Sequence, residues 1–185
     1  MPKYKFRRDR LTTKEEVESM IKRAKWPWLK ALVAFLYLYG CRVSEALAVK
    51  GEDVWVEGGD LCAKIPVLKR RERAKNGPYV GLTHILRVSV NSPFVKDVVL
   101  PYLSRVKPDG RLFPKSRQLV WMRLKELNER ISPHVFRHDR LTKLAMKRPD
   151  PFMLKDWAGW SDIRPAEYYI EMVGYRAAEM KDKID

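Results

Sequence analysis

The amino-acid sequence predicts an α+β fold, in which a mainly helical domain carries a small three-stranded antiparallel sheet. Helical patterns with clear start signals fill both ends of the chain, whereas its middle holds three stretches of strand-forming residues separated by turn signals. The chain has 185 residues, of which 45% are hydrophobic, and this is enough for one domain with a substantial core. We expect that domain to span residues 11–185 and to follow a basic arm over residues 1–10.

The first helices are predicted from two different patterns. Residues 12–16 contain a capping-box start, and the apolar residues that follow recur with helical spacing: Val17, Met20, Ile21 and Ala24. Pro27 ends this amphipathic helix. Residues 28–39 are almost wholly apolar, which is typical of a buried helix, and Gly40 ends it. A third helix is predicted to begin within residues 41–45.

Three strands are predicted in the middle of the chain. Residues 54–56 alternate in the manner of a strand, and Gly58-Gly59 follows as a hairpin turn. Strand character resumes over residues 61–68 and again over residues 79–90, with a turn at Asn76-Gly77-Pro78 between them. The second connection is strongly basic, and its cations are Lys69, Arg70, Arg71, Arg73 and Lys75.

Five further helices are predicted after the sheet. They cover residues 94–103, 118–130, 133–147, 151–158 and 165–173. Ser132 and Asp150 each precede a proline, and this N-cap followed by proline is a helix-start signal. Gly174 interrupts the last of these helices, and a further turn or two is expected over residues 175–183.

The charge balance of the chain favours a polyanionic partner. The net charge is +15 and the pI is about 9.9, so DNA, RNA and an anionic membrane surface all qualify. The basic N-terminus lacks the apolar stretch of a secretory signal, and the longest apolar run is too short to span a membrane.

The content of cysteine, histidine, asparagine and glutamine indicates where the protein is located, whether it binds a metal and what kind of organism it comes from. Cys41 and Cys62 lie in apolar surroundings, which indicates free buried thiols and a reducing cytoplasm. Three His and two Cys fit no zinc-ligand spacing, so no metal is predicted. Asn and Gln are scarce while charged residues reach 33%, which favours a thermophilic source.

Two segments combine residues suited to binding an anion. His134, Arg137 and His138 share one face of a helix near its start, where a phosphate is favoured; the alternative is a solvated basic face. Arg42 begins a helix directly after the buried one and could fork onto phosphate oxygens; the alternative is a local ion pair with Glu45. Neither segment alone establishes an activity.

The order of the segments resembles the tyrosine recombinases of the phage integrase superfamily. An arginine is followed by a basic hairpin, by His-x-x-Arg, by Gly-Trp and, nine residues later, by tyrosine. The stretches similar to the catalytic domain of that family are residues 11–16, 39–47, 132–138 and 154–169. The resemblance covers roughly residues 11–175, and we interpret the chain as similar to integrases of archaeal viruses or plasmids.

The resemblance implies a catalytic set for this chain: Arg42, Lys69, His134, Arg137, Trp160 and Tyr169. Tyr169 would be the nucleophile, with Tyr168 as its alternative, and the sheet lysine would be Lys69 or Lys75. Trp160 stands where most members have His; it can donate an N–H bond to a phosphate but cannot shuttle a proton.

Basic residues outside the catalytic set are expected to contact DNA phosphates. The hairpin group consists of Arg70, Arg71, Arg73 and Lys75, with Lys64 beside it. A second group consists of Arg105, Lys107, Arg111, Lys115, Arg117, Arg123 and Lys125. The alternative for both groups is a solvated surface.

The implied activity is site-specific DNA recombination or integration for a mobile element. Strands would be cleaved and rejoined through a 3′-phosphotyrosine intermediate, with no metal and no nucleotide cofactor. The family acts as a tetramer on two duplexes, and a monomer is the alternative without DNA. The short basic arm does not match the core-binding domain of the family, so we expect the catalytic domain alone.

Two other functions are alternatives to recombination. A type IB topoisomerase uses the same covalent chemistry, but residues 166–168 lack the Ser-Lys-x-x-Tyr pattern of those enzymes. A non-catalytic DNA-binding module would show salt-sensitive binding without a covalent adduct.

Overall fold

The computed structural model describes the backbone of residues 11–73 and 79–174, and the side chains of residues 11–68 and 82–174. This part contains eight α-helices and one three-stranded antiparallel sheet, which confirms the predicted fold class. In chain order, the elements are α1 (Lys14–Arg23), α2 (Pro27–Tyr39), α3 (Val43–Ala46), β1 (Val54–Glu57), β2 (Asp60–Arg73), β3 (Tyr79–Ser89), α4 (Leu100–Leu103), α5 (Arg117–Leu127), α6 (Pro133–Lys147), α7 (Pro151–Ala158) and α8 (Arg164–Met172). The arm over residues 1–10 and the turn expected over residues 175–183 lie outside the described residues.

The first two helices form as their patterns predict. The capping box of α1 is closed by the Glu16 N–H donating to Thr13 Oγ1 at 3.2 Å and the Thr13 N–H donating to the Glu16 carboxylate at 2.8 Å. Helix α2 lies at the centre of the main core, which explains its apolar character on nearly every side. The Tyr39 hydroxyl donates to the Leu61 carbonyl at 2.9 Å and so ties α2 to the sheet.

The sheet has the order β1-β2-β3, and β2 is longer than predicted. Residues 69–73, which were expected in a connection, continue the strand because β3 pairs with them as far as Arg73 and Tyr79. Between the pairs Pro66–Thr83 and Arg71–Gly81, residues 67–70 lie opposite Leu82 alone. This irregularity is a β-bulge, a feature that bends a strand and increases its twist.

Two predicted helices differ from those observed. The helix expected over residues 94–103 is a π-helical turn, Val95–Val99, that leads into α4. Pro101 has no N–H and its ring would collide with the carbonyl four residues earlier, and Leu100 instead donates to Val95. Helix α5 ends at Leu127 rather than at residue 130, since the Asn128 side chain accepts the Arg130 N–H in a local turn at 3.0 Å.

A second, smaller core holds α6, α7 and α8 together, with Trp160 and Tyr169 packed against it. The sheet reaches this unit at the end of α7, where His84 Nδ1 lies 3.0 Å from the Asp156 carbonyl. Gly159 ends α7 in a left-handed conformation, and a Cβ there would lie 3.0 Å from a methyl group of Val67. The β2–β3 hairpin is therefore docked beside Trp160.

None of the helices in residues 11–174 that the structure describes combines the length and apolar character of a membrane span. Cys41 and Cys62 are free and buried, as predicted.

Candidate active site

Arg137 lies on α6 at the junction of three helices, and only 8% of it is exposed. Its Nη1 donates to the Gly40 carbonyl at 3.1 Å, and its Nη2 donates to the Ala158 carbonyl at 2.8 Å. Both acceptors sit at helix C-termini, where carbonyls lack helical partners and carry partial negative charge. Burial lowers the pKa of Arg137, and the nearby Arg42 lowers it further. Its guanidinium is thus held by two neutral acceptors, and it forms no ion pair with a carboxylate among the described residues.

Arg42 precedes α3 and forms the local ion pair with Glu45 that is the alternative to phosphate binding in the sequence. Its Nη1 lies 2.6 Å from a carboxylate oxygen of Glu45, whose other oxygen accepts the Arg42 N–H at 2.8 Å. Glu45 is buried, whereas 17% of the Arg42 side chain stays exposed. The pair fixes a partly accessible guanidinium close enough to Arg137 to affect the pKa of that residue.

Tyr169 lies on α8 within a cluster of rings. Its ring centroid is 5.8 Å from that of Trp160 in a nearly parallel stack, and 5.4 Å from that of His138. The Arg137 guanidinium lies 5.8 Å from the Trp160 centroid. Burial raises the pKa of Tyr169 to about 12, although Arg137 opposes this shift. The structure therefore brings Arg137, Trp160 and Tyr169 together, while Tyr168 points further outward and is 45% exposed.

His138 is a neighbour of Tyr169 that the sequence did not assign to the site. Its Nδ1 lies 3.7 Å from the carboxylate of Asp139, and the other oxygen of that buried carboxylate accepts the Thr12 N–H at 2.7 Å. His134 and His138 share a face of α6, so the sequence of α6 does not show which of them contacts Tyr169. The position of α8, which carries Tyr169, determines that the contact is with His138.

His134 is exposed in the first turn of α6 and lines a separate cleft of about 460 Å³. The other residues that line this cleft are Val43, Arg117, Gln118, Trp121, Ser132 and Pro133. In the part of the chain that the structure describes, the His134 side chain makes no hydrogen bond or ring contact, so its place in the catalytic set stays a prediction. Trp121, which is 54% exposed, is a cleft residue that sequence reasoning missed.

The predicted hairpin residues are placed only in part. The backbone of Lys69 lies in the bulge of β2, but its side chain, the side chains of Arg70, Arg71 and Arg73, and the whole of Lys75 lie outside the described residues. Val67, two residues before Lys69 on β2, lies next to Gly159, the residue before Trp160. The choice between Lys69 and Lys75 remains a prediction.

The second basic group is divided by its contacts. Arg111, Lys115 and Arg117 line an open cleft of about 270 Å³ beside α3. Arg123 instead stacks on Trp26 at 4.4 Å and pairs with Glu126. The first three are therefore better placed for a phosphate. Among the described residues, His, Cys, Asp and Glu form no group of three or more that could hold a metal ion.

The raised pKa of Tyr169 predicts a titration that can be measured in the free protein. The folded protein favours the neutral phenol of Tyr169. The contribution of this phenol to the free energy of unfolding is therefore complete below the unfolded pKa near 10, and it is lost as the pH rises toward 12. We expect the phenolate absorbance of the wild type minus that of Tyr169→Phe to rise with a midpoint near 12. A midpoint near 10 in protein that circular dichroism shows to be folded would contradict this assignment.

Comparison with known proteins matches this arrangement to one family. The family model described as the phage integrase family matches residues 10–173. Tyrosine recombinase XerD of Corynebacterium glutamicum is 28% identical over 152 residues, which cover 76% of this chain and 47% of the relative. Tyrosine recombinase XerC of Herpetosiphon aurantiacus is 28% identical over 162 residues, which cover 81% and 50%. The chain thus spans about half the length of these curated relatives.

Solved structures share the fold. The XerH site-specific recombinase bound to its difH substrate in a pre-cleavage complex aligns with 94% of this chain and 53% of its own, with a TM-score of 0.67 and 17% identity. The catalytic domain of bacteriophage HP1 integrase aligns with 95% of this chain and 94% of its own, with a TM-score of 0.60 and 16% identity. The chain belongs to the phage integrase family and has the fold of a tyrosine recombinase catalytic domain.

Proposed function

We propose that this chain is the catalytic domain of a site-specific DNA recombinase or integrase, which cleaves and rejoins strands through a 3′-phosphotyrosine intermediate. The observation that carries the proposal is the contact between Tyr169, Trp160 and the guanidinium of Arg137, which two backbone carbonyls hold in place. A phenol at this position stands beside groups that bind a phosphate, which is the arrangement that covalent cleavage of a phosphodiester requires.

The reaction is a transesterification at phosphorus. The Tyr169 oxygen forms a bond to the phosphorus and gives up its proton, while the bond to the 5′-oxygen breaks and that oxygen gains a proton. Rejoining is the reverse reaction, in which the 5′-hydroxyl attacks the phosphotyrosine. The bond is exchanged rather than hydrolysed, so rejoining needs no external energy source.

The residues at the site suit the charge that develops in this reaction. The transition state gathers negative charge on the non-bridging phosphate oxygens, and Arg42, Arg137 and the Trp160 N–H are the donors that stabilise it. Preorganised donors of this kind each contribute on the order of 2.7–4 kcal/mol. For proton transfer we assign His134 as the base and Lys69, or else Lys75, as the acid to the leaving oxygen, on the resemblance to the family.

The proposed partner is double-stranded DNA. The net charge of +15 supports it, and the XerH and Tn1549 integrase structures that share this fold contain DNA. We propose that the hairpin cations contact backbone phosphates; they are Arg70, Arg71, Arg73 and Lys75. We also propose that residues 11–185 form the catalytic domain and that residues 1–10 form a basic arm. We further propose a homotetramer on two duplexes, a monomer without DNA, and a cytoplasmic location, which the free buried cysteines support.

Covalent trapping tests the proposed function. A pool of labelled, nicked duplexes of random sequence is incubated with the wild type, Tyr169→Phe and the matched control Tyr168→Phe, in the presence of EDTA. We expect a DNA–protein adduct on denaturing gels from the wild type and Tyr168→Phe, and none from Tyr169→Phe, because the ring of Tyr169 stacks on Trp160 and Arg137 acts on its phenol.

The other outcomes have distinct meanings. Loss of the adduct only in Tyr168→Phe would transfer the nucleophile to the neighbouring residue. DNA binding without an adduct from the wild type would favour the non-catalytic module. The topoisomerase alternative is not favoured, because the relatives that match the chain are recombinases.

A further inference from the structure

A second basic pocket opens one helical turn away from the active site, between α1, α2, β3, α6 and α7. Its volume is about 420 Å³, and we call it the Arg140 pocket. The side chains that matter for its chemistry are Lys14, Arg87, Ser89, Ser92, Arg140 and Trp157. No carboxylate lines it within the described part of the chain. Cations and hydroxyls on walls that carry no carboxylate make a pocket that suits an anion.

Arg140 is the member that lacks a charge partner. Its Nε is enclosed and has no hydrogen-bond partner, and across residues 11–68 and 82–174 its guanidinium makes no ion pair. The contact that it does make is with the face of Trp157, at 5.0 Å from the ring centroid. Burial lowers the pKa of Arg140, and the groups that oppose this shift are the phenols of Tyr37 and Tyr39. A desolvated cation without an anionic partner is unfavourable, so the free protein is left with an unmet demand for negative charge.

The other cations at this pocket differ from Arg140 because they have partners. Lys14 lies 3.5 Å from Glu18, and Arg87 lies 2.8 Å from Glu57, both on exposed surface. Exposed pairs of this kind are weak and exchange readily with solvent. Both cations can therefore exchange their carboxylate partner for a ligand in the pocket, whereas Arg140 has no such partner among the described residues.

We propose that the Arg140 pocket binds a phosphate group, with the Arg140 guanidinium as its principal ligand and the hydroxyls of Ser89 and Ser92 as further donors. A guanidinium can donate two parallel hydrogen bonds to phosphate oxygens, a geometry that an ammonium cannot match. The phosphate belongs either to the DNA backbone or to a free phosphate compound.

The assignment of this phosphate to the DNA backbone rests on the proposed function. Arg140 lies three residues after Arg137 on α6, a displacement of about 4.5 Å along that helix, and Trp157 lies on α7, which ends at Ala158, two residues before Trp160. Two helices therefore connect the pocket directly to the active site, and a strand held at Tyr169 has further phosphates within a short distance.

The first experiment measures thermal unfolding of the full chain in inorganic phosphate and in NaCl of equal ionic strength. Arg140→Met removes the charge and keeps most of the length of the side chain. The matched control is Arg148→Met, which changes an exposed arginine at the end of the same helix, 73% accessible and paired with Asp150. We expect phosphate to raise the melting temperature of the wild type and of Arg148→Met above its value in NaCl, with saturation. In Arg140→Met, we expect the same melting temperature in phosphate and in NaCl.

A second readout excludes a merely structural role for the arginine. Without phosphate, the melting temperature of Arg140→Met should be equal to or above that of the wild type, because an unpaired buried cation has been removed. A lower melting temperature in NaCl, or a phosphate-dependent rise that survives in Arg140→Met, would overturn the proposal.

The source of the phosphate is identified from DNA binding in a Tyr169→Phe background, where no adduct forms. One lost phosphate contact reduces the slope of log K against log salt by about 0.9. A slope reduced in Arg140→Met, together with the thermal result, assigns the pocket to the DNA backbone. An unchanged slope with the same thermal result assigns it to a free phosphate compound. Failure of the proposed function would appear separately, as a missing covalent adduct in the wild type.

Discussion

Replacing Arg137 with lysine is expected to reduce the rate of covalent adduct formation by about 10²–10³-fold, the usual effect of removing one preorganised donor to a transition state. Arg137 donates to the Gly40 and Ala158 carbonyls through two different nitrogens, and this fixes the plane of the guanidinium beside Trp160. Lysine keeps the charge but has a single nitrogen on a flexible stem, so it cannot hold both carbonyls and also present a fork to a phosphate.

The measurement is a single-turnover rate of adduct formation with protein in excess over nicked DNA. Arg123→Lys is the matched control, because Arg123 stacks on Trp26 at the surface and the change preserves its charge. We expect Arg123→Lys to keep the wild-type rate, and circular dichroism to show that Arg137→Lys is folded at the assay temperature. A wild-type rate in folded Arg137→Lys would remove Arg137 from the proposed transition-state donors.

Substitution of Gly40 by alanine is expected to lower the free energy of unfolding by about 2–5 kcal/mol. Gly40 has a φ of +62°, and a Cβ there would lie 2.6 Å from the Arg140 Cβ and 2.8 Å from its Cγ. The left-handed conformation costs a non-glycine residue about 1–2 kcal/mol. Overpacking against an ordered side chain costs about 1–3 kcal/mol more. Urea denaturation followed by circular dichroism measures the total.

Gly58→Ala separates these two effects. Gly58 has nearly the same φ, +59°, but nothing lies within 4 Å of its would-be Cβ. We therefore expect a loss of about 1–2 kcal/mol, from the backbone conformation alone. Equal losses in Gly40→Ala and Gly58→Ala would show that α2 and α6 separate enough to admit a methyl group without cost.

Elements with local signals could be predicted from the sequence, whereas those that depend on a distant partner could not. The box at Thr13 and the apolar run of α2 encode their helices within a few residues, and both were predicted correctly. Residues 69–73 look like a connection because all five are charged and the turn signal Asn76-Gly77-Pro78 follows them. They extend β2 only because Tyr79 and Val80 pair with them across the hairpin.

The candidate site likewise has residues that the sequence could identify and contacts that it could not. The order of the sequence segments could identify Arg137, Trp160 and Tyr169 as members of one site, since their spacing along the chain matches a family pattern. It could not identify the acceptors of Arg137, because a backbone carbonyl has no signature in the sequence. Nor could it show that Arg140 faces inward, since that orientation is set by the packing of α6 against α2 and α7.

The two acceptors of Arg137 have a genetic consequence. Because both are main-chain oxygens, no exchange of side chain at Gly40 or Ala158 can delete them. Only a change in the path of the backbone can displace them, and that path is fixed by the left-handed glycines at positions 40 and 159. Inactivating mutations outside the reacting residues should therefore concentrate at these two glycines.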